Sequence, residues 1–374
     1  MKINVNHSSG SYPVFIINRQ FIDSFTELKT KNNSSVFLIV DSKVDKIYGH
    51  HLIKGLSKIF KIIGNYIFIA NEKNKSINEL NKLLTSIIRQ NCTKETLLIA
   101  IGGGITGDLS ALAASIYLRG IQYIHIPTTL LSMIDSSIGG KTGINFQSGK
   151  NIIGTYFQPK VVLINPEFLR TLPVEEIQSG TGEIIKYSFL TGMNDRVFST
   201  RKIERILNKD FSDIHKLIAD CIKLKSTIVE KDEYEKGGLR GVLNFGHTFA
   251  HGIESSTDFK VMHGNAVLLG IITSLFYSYQ VKLISGEFLF NTLTSLISYT
   301  RFLGKSVKLI HPEKVFKNMQ MDKKRSEDNI NLVLLKNYGE LILNYPANKS
   351  TVVSSVIDMK VWVWESFKKE TVEK

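Results

Sequence analysis

The sequence has little cysteine and no long apolar run. Its two cysteines, Cys92 and Cys221, lack the CxxC spacing, which argues against a disulfide framework and against a thiolate metal site. The longest apolar run, around 266–277, is too short to span a bilayer, and the first residues contain no continuous apolar signal core. We therefore expect a cytoplasmic protein that has no membrane partner.

The sequence also lacks an RNA-binding signature, a regular repeat and a low-complexity linker. Its net charge of +13 would suit nucleic acid, a membrane surface or anionic small molecules, and the charge alone does not choose among them. Many lysines are scattered through polar helical stretches such as 202–225, a pattern typical of a solvated helix face. We expect a small anionic ligand and no nucleic-acid partner.

The chain of 374 residues is long enough for two domains. In its first half, short β-branched runs alternate with helix-length periodic segments, which predicts a parallel, helix-covered sheet. The predicted strands are 36–40, 66–70, 97–101, 123–126 and 161–164, and the predicted helices between them include 76–90 and 107–118. Beyond residue 173 the periods become helical. We therefore expect an α/β nucleotide-binding domain with a parallel sheet at 1–173 and an all-α domain at 174–374, apart from one last hairpin turning at 337–339.

A glycine-rich turn joins one predicted strand to the next helix. Gly102, Gly104 and Gly107 satisfy the pattern GxGxxG in that context. Glycines there let backbone N–H groups approach a pyrophosphate, and the helix N-terminus adds a favourable partial positive charge. The alternative is a turn with a purely structural role.

The acid that usually binds the ribose, about 20 residues after such a turn, is missing. Asp41 ends the strand 36–40 and could reach a ribose hydroxyl from the same sheet edge. Glu72 and Lys75, just beyond the next strand, are further candidates.

A long polar stretch, 127–159, follows the fourth predicted strand and is dense in glycine and small polar residues. Loops of this length are usually functional. Asp135, Lys141, Lys150 and Asn151 supply one acceptor, two cations and an amide, which suits a polyhydroxylated anionic ligand. The alternative is a glycine-rich connector with solvated lysines.

Three of the nine histidines lie within 240–264. A helix that opens near Gly246 would carry His247, His251 and Glu254 on one face. The pair of histidines is typical of helical zinc motifs, but HTFAH lacks the glutamate of HExxH, and a partly exposed polar helix face is the alternative. The segment GEIIKY contains Glu183 and Lys186 three residues apart, on one face of a predicted helix. By itself this spacing indicates a surface ion pair.

Taken together, the motifs resemble those of the 3-dehydroquinate synthases, the sugar-phosphate cyclases of the shikimate pathway and so of aromatic amino acid biosynthesis. The resemblance runs in order through GGGITGDL, YLRG, PTTLLSMIDSSIGGKTGIN, GKNIIG, LRTLP, GEIIKY, NFGHTFAHGIE and MHG. It implies an α/β nucleotide domain and a helical domain, with the active site in the cleft between them. It also implies an activity, the conversion of 3-deoxy-D-arabino-heptulosonate 7-phosphate to 3-dehydroquinate and phosphate. That reaction uses transient oxidation by NAD, phosphate elimination, re-reduction and intramolecular aldol closure.

The resemblance also assigns site residues. It implies a zinc or cobalt ion held by Glu183, His247 and His263, so that His251 contacts substrate. The implied substrate contacts are Arg119, Asp135, Lys141, Lys150, Asn151, Lys186, Lys225, Arg240, Asn244, His251 and Lys324 or its neighbour Lys323. The implied NAD contacts are Asp41, Glu72, Lys75, Gly103, Gly104, Asp108, Thr128 and Thr129, with Lys141 and Lys150 beside them. In the family Arg119 reaches the neighbouring subunit's substrate, which implies a homodimer.

The sequence departs from the family pattern at two places. Asn265 stands where the family usually has glutamate, so we expect a carboxylate behind the second histidine ligand to be missing and metal affinity to be lower. The segment 232–240 is one residue longer than the commonest form. Three other functions compete: a cyclase that makes an amino-dehydroquinate, deoxyinosose or valiolone ring, a metal-dependent dehydrogenase of the glycerol dehydrogenase type, and a polyanion-binding protein. Arg240, Asn244 and His251 favour dehydroquinate, although the amino variant would retain them.

Overall fold

The structure is a computed structural model that describes residues 1–17, 25, 27–28, 35–147, 149–192, 199–236, 238–323 and 330–372, with only the backbone at 322–323 and 370–372. Its β-strands are β1 Lys2–His7, β2 Gly10–Ile16, β3 Ser35–Asp41, β4 Lys61–Phe68, β5 Leu97–Gly102, β6 Tyr123–Pro127, β7 Ile144–Phe146, β8 Gly149–Ile153, β9 Val161–Ile164, β10 Asn331–Asn337 and β11 Glu340–Pro346. Its α-helices are α1 Ser42–Leu56, α2 Ile77–Arg89, α3 Gly104–Ile116, α4 Val174–Leu190, α5 Thr200–Leu207, α6 Ile214–Lys231, α7 His247–Ser256, α8 His263–Gln280, α9 Gly286–Thr300, α10 Pro312–Lys323 and α11 Lys349–Val372.

The chain divides into two compact units. Unit 1 comprises Met1–Ile177 and Lys209–Tyr234, and unit 2 comprises Gln178–Asn208 and Glu235–Lys374. The first division falls inside α4, four residues after the predicted boundary at 173. A feature that the sequence analysis did not foresee is the return of the chain to unit 1, where α6 contacts β1.

Unit 1 is built on a seven-stranded sheet in the order β1-β2-β9-β6-β5-β3-β4. The five strands from β9 to β4 are parallel, β2 joins β9 in parallel, and β1 pairs with β2 antiparallel. Every residue of the central strand β5 is buried, as expected for a β-branched strand covered by helices on both faces. The carboxyl ends of the parallel strands meet at one edge, which is where a parallel sheet places its ligands.

The predicted strands at 36–40, 97–101, 123–126 and 161–164 and the helix at 76–90 are confirmed. The strand predicted at 66–70 is β4, which lies earlier, at Lys61–Phe68. The helix predicted at 107–118 begins sooner, at Gly104, directly after the glycine turn. The hairpin of β1 and β2 was not predicted, although β1 alternates polar and apolar residues and buries Ile3 and Val5 on one face, as a strand at the edge of a sheet does.

Unit 2 is mainly helical. Its core helix α8 contacts α7 and α11, and α7 also contacts α10. The predicted hairpin is confirmed as β10 and β11, and α7 opens at His247, directly after Gly246, as predicted. Across the described ranges, none of the helices combines the length and the apolar character needed to cross a membrane.

Candidate active site

The glycine-rich turn of unit 1 is closely packed at the edge of the sheet. Gly102 ends β5, Gly103 is the N-cap of α3, and the Thr128 N–H donates to the Gly102 carbonyl at 3.0 Å. A Cβ at Gly103 would lie 2.9 Å from Cγ2 of Thr129, so a side chain there would displace its neighbour. The turn therefore places half-buried backbone without side chains, at Gly103 and Gly104, at the helix N-terminus, the arrangement that binds phosphate groups.

Beside this turn, Lys75 connects two of the predicted site residues. Its buried ammonium lies 2.5 Å from Oδ2 of Asp108 and donates to Oδ1 of Asn151, also at 2.5 Å. Burial raises the pKa of Asp108, although the ammonium of Lys75 acts in the opposite direction. The structure thus brings together three residues that are far apart in the sequence.

A second ion pair lies next to the first. Lys150 Nζ is 3.2 Å from Oε1 of Glu72, and although burial opposes it, Lys150 lowers the pKa of Glu72. Asn145 joins the two pairs, because its amide donates to Oε2 of Glu72 at 2.9 Å and its Oδ1 accepts from the Asn151 N–H at 3.0 Å. The sequence analysis did not identify Asn145. The signal available was its position opposite GKN in a short hairpin of β7 and β8.

Asp41 ends β3 at the same edge, as predicted, and also caps α1. Its Oδ1 accepts from the Lys43 N–H at 2.8 Å, and burial raises its pKa. The carboxylate therefore has a structural contact of its own in addition to any contact with a ligand.

Asp135 and Lys225 meet within unit 1. Asp135 lies on a short π-helical turn, Ser132–Ser136, that α6 contacts. The buried ammonium of Lys225, on α6, lies 2.9 Å from Oδ1 of Asp135 and donates to its backbone carbonyl at 2.8 Å. The return of the chain to unit 1 therefore brings Lys225 next to Asp135, and both are predicted substrate contacts.

In unit 2, the three predicted metal ligands converge. Oε1 of the fully buried Glu183 lies 3.3 Å from Nε2 of His247 and 3.4 Å from Nε2 of His263, and one donor atom of each residue lies within 4.8 Å of the others. Two ligand atoms on a tetrahedral zinc ion, each about 2.0–2.2 Å from it, are about 3.3–3.6 Å apart. The spacing and the donor set of one carboxylate and two imidazoles fit such an ion, with coordination positions left for substrate.

A glycine beside each of two donors allows their helices to approach. Gly182 precedes Glu183 on α4, and Gly264 follows His263 on α8. A Cβ at Gly182 would lie 2.0 Å from the Gly264 carbonyl oxygen, and a Cβ at Gly264 would lie 1.6 Å from that of Ser179. Backbone contact at this crossing is what places the carboxylate next to the imidazole.

The third donor depends on a similar contact. Gly246, which precedes His247, has a φ of 78°, in the left-handed region that favours glycine. A Cβ at Gly270 of α8 would lie 2.1 Å from the Gly246 carbonyl oxygen. All three donors therefore lie next to a glycine that is pressed against another backbone segment.

Each imidazole also faces an acceptor through its second nitrogen. Nδ1 of His247 is 3.3 Å from the Phe245 carbonyl oxygen, and Nδ1 of His263 is 3.4 Å from Oε1 of the buried Glu254. The expectation that no carboxylate lies behind His263 is therefore wrong. Asn265 does lack one, but Glu254 supplies it from α7.

Charges within the cluster shift its pKa values. Although burial acts in the opposite direction, the ammonium of Lys186, 2.5 Å from Oε2, and the imidazole of His247 hold the pKa of Glu183 well below its usual range. Burial and Lys186 lower the pKa of His247, which favours the neutral imidazole, the form that binds metal. Burial would also lower the pKa of His263, but Glu254 and Glu183 raise it to about 9, so an ion binding there would displace a proton.

Comparison with known proteins supports this assignment of the motifs. Residues 65–179 match the family described as 3-dehydroquinate synthase N-terminal, and residues 180–325 match 3-dehydroquinate synthase C-terminal. A 3-dehydroquinate synthase from Pelagibacter ubique is 35% identical over 358 residues, which cover 94% of this chain and 96% of the relative.

The chain belongs to the 3-dehydroquinate synthase family. Solved structures of two other cyclases have the same fold. One is 2-deoxy-scyllo-inosose synthase complexed with carbaglucose-6-phosphate, NAD+ and Co2+, with a TM-score of 0.85 and 23% identity over 96% of this chain and 100% of that one. The other is 2-epi-5-epi-valiolone synthase from Streptomyces hygroscopicus, which has NAD+ and Zn2+ bound. Its TM-score is 0.80, and it is 21% identical over 93% of this chain and 96% of that one.

The remaining residues implied by membership of the 3-dehydroquinate synthase family lie in both units. In unit 2, Arg240 is buried, Asn244 donates to Oε1 of Glu235 at 3.0 Å, and the rings of His251 and His247 are 5.9 Å apart. In unit 1, Lys141 and Arg119 are exposed. Lys324 lies outside the described residues, and Lys323 is described only by its backbone.

Proposed function

We propose that this chain is a 3-dehydroquinate synthase, a phosphate lyase and carbocycle-forming cyclase. Its substrate would be 3-deoxy-D-arabino-heptulosonate 7-phosphate, and its products 3-dehydroquinate and phosphate. The observation that carries the proposal, beside family membership, is the convergence of Glu183, His247 and His263 at the spacing of a three-ligand metal site.

We assign a divalent zinc or cobalt ion to this triad. The ion would be held by Oε1 of Glu183 and Nε2 of both histidines, and it would supply polarisation of substrate oxygens. Lys186 lies on the other oxygen of Glu183 and keeps that carboxylate ionised. His251, one helical turn after His247, would bind a substrate hydroxyl.

We assign NAD to the sheet edge of unit 1; the two solved cyclase structures of the same fold contain NAD+. The pyrophosphate would contact the backbone at Gly103 and Gly104, with Thr128 and Thr129 beside it. NAD bound there would supply reversible hydride transfer, so that a substrate hydroxyl could be oxidised before phosphate elimination and reduced again before aldol closure. Asp41, Glu72, Lys75 and Asp108 would complete the cofactor contacts.

The polar residues that the family resemblance assigns to the substrate would bind and orient it. Asp135 is held by Lys225, so it stays an acceptor for hydroxyl groups. Asn151 is fixed by Lys75 and by Asn145. The substrate's carboxylate and phosphate would be bound by cations, namely Lys141, Lys150, Arg240 and Lys324 or Lys323, with Asn244 beside Arg240.

We also propose a homodimer in which Arg119 contacts the substrate of the neighbouring subunit. Leu118 and Arg119 both have positive φ, 47° and 61°, an arrangement that costs roughly 1–2 kcal/mol per residue and concentrates at functional sites. Lys94 holds this turn by donating to the carbonyls of Leu118 and Gly120. The exposed side chain of Arg119 therefore lies on a turn that is held by these two hydrogen bonds.

The proposal is tested by mixing the purified chain with NAD+, Co2+ or Zn2+ and the heptulosonate phosphate. We expect phosphate release matched by 3-dehydroquinate, without accumulation of NADH. Steady NADH accumulation would indicate a dehydrogenase of the glycerol dehydrogenase type instead, and turnover of glucose 6-phosphate in place of the heptulosonate would indicate an inosose-type cyclase. The absence of any phosphate release would reject the proposal.

A pair of variants connects the activity to the triad. Glu183→Gln removes the charged ligand, so we expect loss of bound metal and of phosphate release. Glu340→Gln makes the same change at an exposed carboxylate that pairs with Lys336 on the hairpin, and it should retain both. Wild-type metal content in Glu183→Gln would reject the ligand assignment.

A further inference from the structure

Glu254 is an acidic residue of the cluster for which the proposed mechanism has no role. It lies on α7, its side chain is only 3% exposed, and it is not one of the three donors that converge. Its Oε1 instead faces Nδ1 of His263 at 3.4 Å, on the side of the ring away from Glu183. A carboxylate is costly to bury, so this position needs a partner that stabilises its charge.

The ring of His263 lies between two carboxylates. Its Nε2 is 3.4 Å from Oε1 of Glu183, and its Nδ1 is 3.4 Å from Oε1 of Glu254. Only one ring nitrogen of a histidine can bind an ion while the other carries the proton, and the acceptor beside the second nitrogen decides which one does so. Glu254 therefore favours the proton on Nδ1 and leaves the lone pair on Nε2, where the other donors converge.

The other imidazole provides an internal comparison. Nδ1 of His247 faces the carbonyl oxygen of Phe245 at 3.3 Å, so both rings are oriented in the same way by different acceptors. A carboxylate behind a ligating histidine orients the ring and makes it a stronger donor than a carbonyl does. The two ligands thus face different acceptors, a carboxylate at His263 and a carbonyl at His247.

We propose that Glu254, on α7, is the positioning residue of His263. The inference rests on the proposed metal site. Asn265 is half-buried on the first turn of α8 and carries no carboxylate, but His263 still has the carboxylate of Glu254 behind it. Substitution of Glu254 should weaken metal binding without removing any ligand.

The test is a titration of the metal-free full-length chain with Co2+, followed by the visible absorption bands of the bound ion. We expect Glu254→Gln, which keeps the side-chain shape, to bind Co2+ about 10- to 100-fold more weakly, with shifted bands. Phosphate release should fall at low Co2+ and recover as the Co2+ concentration rises, because the ligands themselves are intact. Glu204→Gln, at a half-buried carboxylate of α5 in the same unit, should bind as the wild type does.

The outcomes separate this inference from the proposed function. If the wild type binds no Co2+, the metal site itself is rejected. If the wild type binds Co2+ and Glu254→Gln binds it with equal affinity and unchanged bands, the positioning role is rejected while the metal site stands. A variant that is less stable to denaturant but unchanged in Co2+ affinity and spectrum would give Glu254 a purely structural role and would also overturn the inference.

Discussion

The contact between Gly264 and Ser179 predicts a large effect from the smallest possible substitution. In Gly264→Ala, the new Cβ would start 1.6 Å from the Ser179 carbonyl oxygen, whereas such contacts are essentially never closer than 3.0 Å. The obstacle is backbone, so a rotamer change cannot relieve it. The first turn of α8 must therefore move away from α4 by about 1.4 Å or more.

A displacement of that size is large for the metal site. Along the line between Oε1 of Glu183 and Nε2 of His263 it would lengthen their 3.4 Å separation to about 4.8 Å, while two bonds of about 2.0–2.2 Å reach at most about 4.4 Å even in a straight line. Alanine favours a helix over glycine by about 1 kcal/mol, but overpacking in a close-packed interior costs about 1–3 kcal/mol or more. We therefore expect lower stability and a much larger loss of metal affinity.

The assay is Co2+ titration of the folded variant, together with its free energy of unfolding in urea. Gly286→Ala is the matched control, because it too lies at the start of a helix in unit 2 and its Cβ would meet Tyr279 at an ordinary 3.5 Å. We expect the control to bind Co2+ as the wild type does. Wild-type Co2+ affinity in Gly264→Ala would refute the argument that this crossing positions the donors.

Two further predictions concern unit 1. Burial lowers the pKa of His125 from 6.5 to about 4. The unfolded chain therefore binds a proton at this residue more readily than the folded chain does. As the pH drops from 6.5 to 4, the free energy of unfolding should fall by about 3 kcal/mol. His125→Gln should lose that part of the pH dependence in urea titrations, and an unchanged slope would contradict the assignment. Lys75→Met leaves the Asp108 carboxylate without its ion-pair partner, so we expect a destabilisation of about 1–3 kcal/mol and weaker NAD+ binding by calorimetry. Adding Asp108→Asn to Lys75→Met should recover part of the stability, and no recovery would argue against the pairing.

Local sequence patterns were enough for the central strands of the sheet and for the start of α7. β3, β5, β6 and β9 are short apolar runs with turn residues at both ends, a pattern typical of buried parallel strands. The hairpin of β1 and β2 lacks that pattern. The packing of α6 on unit 1 was also not predictable, because an apolar helix face does not specify which partner it will cover.

The metal site shows the same limit. Helical periodicity placed His247, His251 and Glu254 on one face. In the structure the ring of His247 lies beside that of His263, Glu254 faces Nδ1 of His263, and His251 lies beside His247. By spacing alone, Glu183 and Lys186 indicated a surface ion pair, yet both are buried. The donor set followed from the family resemblance, because convergence depends on where helices cross, and those crossings depend on glycines whose importance is visible only once the backbones are in contact.

The positions of the donors along the chain also affect how the protein holds together. Glu183 precedes the segment that returns to unit 1, whereas His247 and His263 follow it. An ion bound by all three would therefore cross-link the two chain segments of unit 2, Gln178–Asn208 and Glu235–Lys374. Ligands that bind only the folded form add to its stability, by about 2.7 kcal/mol at a hundred times the dissociation constant. Loss of the ion would then cost the enzyme part of its resistance to unfolding and proteolysis, so metal supply would set how long the protein survives as well as how fast it works.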